Sequence, residues 1–293
     1  MLSAPAEAFV AVPGGRVWMR RSGAGAGAPL VLLHGGPGSP HDYLEPLAVL
    51  GDEREVVFYD QLGCGRSYTP DDPSLWSVAR FVEELGAVIG TLRRAPVHLL
   101  GHSWGAMLAA DYALEHPHDV ASLILDSPCL SMRRVRDDME RLKAELPEAV
   151  RRVIERCEHD GTTDSGAYGA AAMAFYRRHV CRLADWPEPL VRSQSAWGWP
   201  VYHTMWGPAE FTPTGTLAGY EREDRLVDLR APVLYLCGRH DEITPESTRA
   251  YHERTPGSEF VVFEASAHVQ HLEEPERYAS VVRGFLARAE AAR

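Results

Sequence analysis

The chain has 293 residues, 45% of them hydrophobic, which is enough to bury a substantial core in one large domain or a domain carrying an insertion, and too apolar for a disordered chain. Its formal net charge of -11 argues against a nucleic-acid surface. The opening MLSAPAEAFVAVPGG lacks the basic stretch and long apolar core of a signal peptide, and no later stretch is apolar enough to span a bilayer, so a cytoplasmic protein with neither membrane nor nucleic-acid partner is expected.

The first β-rich segments are FVAV and RVWMRR, followed by GAGAGA as a flexible connector and the strongly apolar PLVLLH, a pattern that reads as a hairpin feeding a core strand. Strand-like runs EVVFYD, PVHLL, ASLILD, PVLYLC and EFVVF then alternate with helical stretches such as SLWSVARFVEELGAVIGTLRR and PERYASVVRGFLARA. That alternation predicts an α/β fold, a mostly parallel central sheet with helices on both faces. Between about Ser127 and Asp228 it stops. MRRVRDDMERLKAELPEAVRRVIERC and GAYGAAAMAFYRRHVCRL keep a helical period without strands, so residues 128–228 are expected to form an inserted helical cap on a core made of 1–127 and 229–293. The five cysteines, Cys64, Cys129, Cys157, Cys181 and Cys237, are odd in number and scattered without a Cys-x-x-Cys spacing. Neither a disulfide framework nor a zinc site is suggested, and free thiols are expected.

VHLLGHSWGAMLAADYA contains the first chemical signal. An apolar strand end meets a small-residue helix at Ser103, flanked by Gly101 and Gly105, the Gly-x-Ser-x-Gly pattern of a strand-to-helix elbow that projects a nucleophile. The plainer alternative is a helix N-cap serine. A serine nucleophile needs a base, and the base needs a third group to fix its tautomer and stabilise its charged form. Reacting groups in open parallel sheets gather at the carboxyl ends of strands, which narrows thirteen histidines to very few. Asp241 follows PVLYLC just before a helix expected to begin near Pro245, and His268 follows EFVVF just before the last helix. The chain order Ser103, Asp241, His268 matches that of α/β-hydrolases. Asp126, at the end of LILD, is the lesser candidate for the acid. His271 rivals His268, His102 is expected to point away from the serine, and His240 reads as a loop residue. Acyl transfer also needs backbone N–H groups aimed at developing negative charge, and the Gly-rich loop after PLVLLH points to Gly36 and Trp104 as the oxyanion hole.

With these residues in view the sequence resembles the proline iminopeptidase family of α/β-hydrolases, in the branch containing the tricorn-interacting aminopeptidase. HGGPG at 34–38, FYDQLGCGRS at 58–67, GHSWG, MWGPAEFTPTGTL and GRHDEITP carry the likeness over nearly the full chain. The resemblance implies that Ser103 attacks the first peptide carbonyl, that His268 takes and later returns its proton, and that Asp241 holds the imidazole. It further implies that Glu210 and Glu242 hold the substrate's α-ammonium, with Tyr202 and Gly35 beside them, that Asp60 and Arg66 brace loops, and that no cofactor or metal is required. Two carboxylates shielded from water would measure the distance from a free amino terminus to the scissile bond, and would reject acylated chains. Their plainer readings are helix-dipole compensation for Glu242 and a solvated residue for Glu210. The sequence departs from the family in carrying His102 where many members have glycine and Leu62 where many have arginine.

The expectation is a serine aminopeptidase that removes proline or another small apolar residue from short peptides or amino-acid amides. The alternatives are an amide or ester hydrolase of specialised metabolism and a catalytically silent ligand receptor. A monomer is the default, since nothing in the sequence marks an obligate interface.

Overall fold

In the parallel part of the sheet, strand side chains alternate between two faces that are both buried, which is why these strands read as near-continuous apolar runs. The computed structural model describes residues 6–92 and 96–292. Its eight-stranded sheet has the order β1-β2-β4-β3-β5-β6-β7-β8. The strands are β1 (Ala6–Val12), β2 (Gly15–Ser22), β3 (Gly27–Leu33), β4 (Arg54–Tyr59), β5 (Val97–His102), β6 (Val120–Asp126), β7 (Val233–Gly238) and β8 (Glu259–Phe263). Strands β3 to β8 pair in parallel, while the β1–β2 hairpin extends the sheet antiparallel beyond β4. The hairpin therefore adds to the edge through β4 and does not lie beside β3. The GAGAGA segment is not a free connector either. Gly27 already belongs to β3, and Ala24 N and Gly27 N donate to Gly51 O and Glu53 O, so the glycines let two backbones run against each other.

Helices α1 (Val78–Gly90) and α2 (Trp104–Glu115) cover one face, joining Phe81, Leu85, Val88 and Met107 to Val31, Leu99, Leu123 and Tyr235 of the sheet. The opposite face packs Leu30, Phe58, Leu100, Ile124 and Leu234 against a 3-10 segment at His41–Asp52 and against Tyr278, Val282 and Phe285 of the last helix, α10 (Pro275–Ala291). Each apolar side chain buried in this way contributes about 1.5–3 kcal/mol. The expected helix over 74–94 splits for a local reason: Ser77 accepts from Arg80 N and caps α1 after a short 3-10 turn at Pro73–Leu75. Arg93 and Arg94 lie outside the described residues, as do the first five residues of the opening stretch.

Between β6 and β7 the described elements are helical: α3 (Met132–Ala144), α4 (Glu148–Asp160), α5 (Gly166–His179), α6 (Glu188–Ser195), α7 (Trp199–Met205) and two short 3-10 turns. Pro147 separates α3 from α4, which the sequence presents as one periodic run. Polar ties hold this segment to the rest. Arg222 Nε donates to Asp111 Oδ1 at 2.5 Å, Arg192 Nε to Asp42 Oδ1 at 2.6 Å, and Ser247 Oγ and Thr244 Oγ1 to the Asp138 carboxylate at 2.7 and 3.0 Å. The last pair fixes α3 to the start of α8 (Pro245–Glu253). All five cysteines are buried and free. Among the described residues no helix is long and apolar enough to cross a membrane.

Candidate active site

Strands β5, β6, β7 and β8 deliver their carboxyl ends side by side, with His102 opposite Asp126 and Asp126 opposite Leu236. Ser103 leaves β5 with φ 56° and ψ -119°, a left-handed conformation that L residues adopt only where the surroundings enforce it. Its N–H donates to Asp126 O at 2.8 Å, and its carbonyl accepts from Ala106 N at 2.9 Å. Added Cβ atoms would press Gly101 into the carbonyl of Gly105, and Gly105 into that of Leu33 on β3. The turn can thus close only with bare backbone on both sides of the serine.

Asp241 and His268 stand in the loops that follow β7 and β8, both buried. His268 Nδ1–H donates to Asp241 Oδ1 at 2.8 Å, and Ile243 N reaches the same oxygen at 2.9 Å. Asp241 Oδ2 accepts from Ser127 Oγ at 2.6 Å, Gln270 Nε2 at 2.9 Å and Gly238 N at 3.3 Å. Ser127 and Gln270 belong to no motif in the sequence. The available signal was position alone, one residue past the end of β6 and two past His268. Ser103 and His268 line one cavity, yet among the described residues no hydrogen bond joins Ser103 Oγ to His268 Nε2. Such bonds often tighten only once substrate is bound.

The rivals are engaged elsewhere. Asp126 Oδ2 accepts from Tyr278 OH at 2.7 Å, and burial pushes its carboxyl up to about 7. His271 Nε2 donates to Tyr43 O at 3.0 Å, and burial pulls the ring down to about 4. His240 is a turn residue whose carbonyl accepts from His179 Nδ1. His102 lines the same cavity as Ser103, with its ring 4.6 Å from that of His268. Its Nε2 lies 2.7 Å from His268 O, which can only accept, so Nδ1 is the acceptor for Tyr43 OH at 2.9 Å. Tyr43 OH in turn accepts from Gly35 N at 2.8 Å, tying the Gly-rich loop to the loop of His268. This link, through Tyr43 and through the departure from glycine at position 102, was not legible in the motifs.

Gly36 lines the cavity, Trp104 opens α2, and neither backbone N–H donates a hydrogen bond among the described residues. Gly35 packs on the elbow, where an added Cβ would lie 3.1 Å from Ser103 Cβ. Gln61 sets the Trp104 side chain by accepting from Nε1 at 2.8 Å, and donates to His34 O at 2.9 Å. Asp60 accepts from His41 N and Arg66 N, both at 2.9 Å, while the Arg66 guanidinium lies over Trp18.

The cavity measures about 680 Å³ and is walled on the side of the β6–β7 segment by Tyr168, Tyr176, Trp197, Trp199 and Tyr202. Glu210 and Glu242 both face it. Burial is the main cause that pushes the Glu210 carboxyl up to about 7, against the opposing pull of His268 and the Tyr202 hydroxyl. Burial raises Glu242 as well, and the neighbouring carboxylates Glu210 and Asp241 add to it. Glu242 Oε1 lies 3.6 Å from His268 Nε2, and its buried Oε2 has no hydrogen-bond partner among the described residues. Burial opposes charge on His268, but Asp241, Glu242 and Glu210 together hold it up at about 10. Among the described residues the one set of side chains whose ligand atoms cluster closely enough for a metal is His41, Asp42 and Glu45. Those groups are already bonded to Asp60, Arg192 and Arg20.

Residues 28–275 match the α/β hydrolase fold family. A proline iminopeptidase of Heyndrickxia coagulans is 46% identical over 282 residues, covering 96% of this chain and 98% of that protein. The crystal structure of the Mycobacterium smegmatis proline iminopeptidase superposes with a TM-score of 0.89 at 37% identity, covering 98% of this chain and 99% of the other. That of VinJ superposes with a TM-score of 0.94 at 38% identity, covering 97% and 99%.

Proposed function

The chain belongs to the proline iminopeptidase family of α/β-hydrolases, and from that premise we propose that it removes an N-terminal proline, or another small apolar residue, from short peptides and amino-acid amides through an acyl-enzyme. The observation that carries this reading is the pairing of a strained strand-end serine with two acids, Glu210 and Glu242, that share its cavity. An ammonium group held between those acids places the adjacent carbonyl within reach of Ser103. Residues 128–228 act as a cap on a core of 1–127 and 229–293, and supply the Glu210 half of the site.

In this mechanism His268 Nε2 takes the Ser103 proton as Oγ attacks the carbonyl carbon, and Asp241 stabilises the imidazolium that results. The N–H groups of Gly36 and Trp104 hold the oxyanion, each such donor being worth about 3–4 kcal/mol. Collapse of the tetrahedral adduct expels the amine, protonated by His268. Water, activated by the same base, then hydrolyses the ester and restores Ser103. Tyr202, whose hydroxyl stands beside the Glu210 carboxylate, and Gly35, packed against the elbow, complete the substrate-binding wall.

A second reading rests on the cavity. Its volume of about 680 Å³ and aromatic wall fall within the range of sites that enclose a drug-sized ligand of about 300–1,000 Å³. An aminoacyl group could therefore be cut from a bulky apolar amine as well as from a peptide. Mass spectrometry of products from prolyl dipeptides, prolinamide and a prolyl amide of a bulky aromatic amine separates the two. Free proline released from any of them, and lost in Ser103→Ala by about 10⁴-fold or more, supports aminoacyl hydrolysis, and relative rates name the leaving group. No proline from any of the three, and no alanine from the matching alanyl compounds, would refute it.

A further inference from the structure

His268 is a single imidazole faced by three carboxylates. Asp241 and Glu242 come from the loop between β7 and α8, and Glu210 from the segment before β7. The other titratable groups packed around it are His102 at the end of β5, Asp126 at the end of β6, and His271 of the short helix α9 (Gln270–Glu273). Asp241 engages Nδ1. The opposite nitrogen, Nε2, is the one that must receive the serine proton, and it lies 3.6 Å from Glu242 Oε1 with no bond to Ser103. Glu242 Oε2, buried beside it, has no partner among the described residues. A buried carboxylate in this position calls for a cation.

We infer that Glu242 serves two cations in turn: without substrate it pairs with Nε2 of the His268 imidazolium and keeps that nitrogen from Ser103, and a substrate's protonated amine displaces it and releases Nε2 to the serine. The inference rests on the amine-site reading above and adds a switch to it. The balance is one cation for another. As the ammonium settles on Glu242 and Glu210, the Nε2 proton leaves to water, and the neutral nitrogen then accepts the proton of Ser103 Oγ. The direction of the His268 shift agrees, since the carboxylates outweigh burial. A free amine thereby raises kcat as well as binding, because its charge acts on the step that activates the nucleophile. An acylated substrate meets a base that is still protonated.

The test is a histidine NMR titration of the wild-type enzyme, with and without saturating pyrrolidine, a probe that carries the proline ammonium but no carbonyl. The His268 midpoint is expected to fall by about 1–3 pH units when pyrrolidine is bound. In Glu242→Gln the midpoint of the free enzyme should already be low and insensitive to the probe. That variant should also hydrolyse p-nitrophenyl acetate near pH 7 about 10-fold or more faster than wild type, while losing activity on prolyl-β-naphthylamide. A loss of packing alone would slow both. Pyrrolidine that competes with prolyl-β-naphthylamide but leaves the His268 midpoint in place overturns the switch and spares the amine site. Pyrrolidine that does not compete overturns the amine site, and the switch with it.

Discussion

Asp241 and Glu242 are neighbours in sequence and both are buried, yet their surroundings differ in kind. The Asp241 carboxylate receives five hydrogen bonds, from His268, Ile243, Ser127, Gln270 and Gly238. Glu242 has one oxygen 3.6 Å from a histidine nitrogen and the other with no partner among the described residues. Donors arranged in advance fix a charge in position and favour its ionised form, whereas a buried carboxylate without them is costly in the free protein and strongly attractive to an arriving cation. The first arrangement suits a group that orients a base for every substrate. The second suits a group that distinguishes substrates by their charge.

Substitutions should separate these halves. Asp241→Asn breaks the first: it removes the acceptor that fixes the His268 tautomer, and a loss of about 10⁴-fold in kcat is expected. The loss should be of similar size on prolyl-β-naphthylamide and on p-nitrophenyl acetate, since both need the base. Glu210→Gln breaks the second. Truncating one partner of a buried charge pair typically costs about 2–5 kcal/mol, so kcat/KM on prolyl-β-naphthylamide should fall by roughly 30-fold to 5,000-fold, with no fall on the ester. An equal fall on both substrates would place Glu210 with the machinery common to all substrates. Ser127→Ala sharpens the comparison. It removes one of several donors to Asp241, so kcat should drop by about 10-fold on both substrates, while the ratio between them stays constant.

The centre of the sheet was legible because strands β3 to β7 are largely buried on both faces and bounded by Gly and Pro, leaving little ambiguity of period. Ser103, Asp241 and His268 could be named because strand ends in a parallel sheet point one way, which turns linear order into neighbourhood. The supports were not. Tyr43, His102, Ser127 and Gln270 act through bonds between loops that lie far apart in the chain, such as Ser127 to Asp241 and His102 to the His268 carbonyl, and no periodicity records such bonds. The connector at 23–28 was misread for a related reason. Its glycines serve the close approach of 51–54, a partner visible only once the chain is folded.

The most direct test compares kcat/KM for prolyl-β-naphthylamide and its N-acetylated form on the wild-type enzyme. The free amine should be favoured by about 30-fold or more, the worth of one buried charge contact. Equal or faster hydrolysis of the acetylated compound would contradict the account, and would assign the cavity to neutral amides or esters.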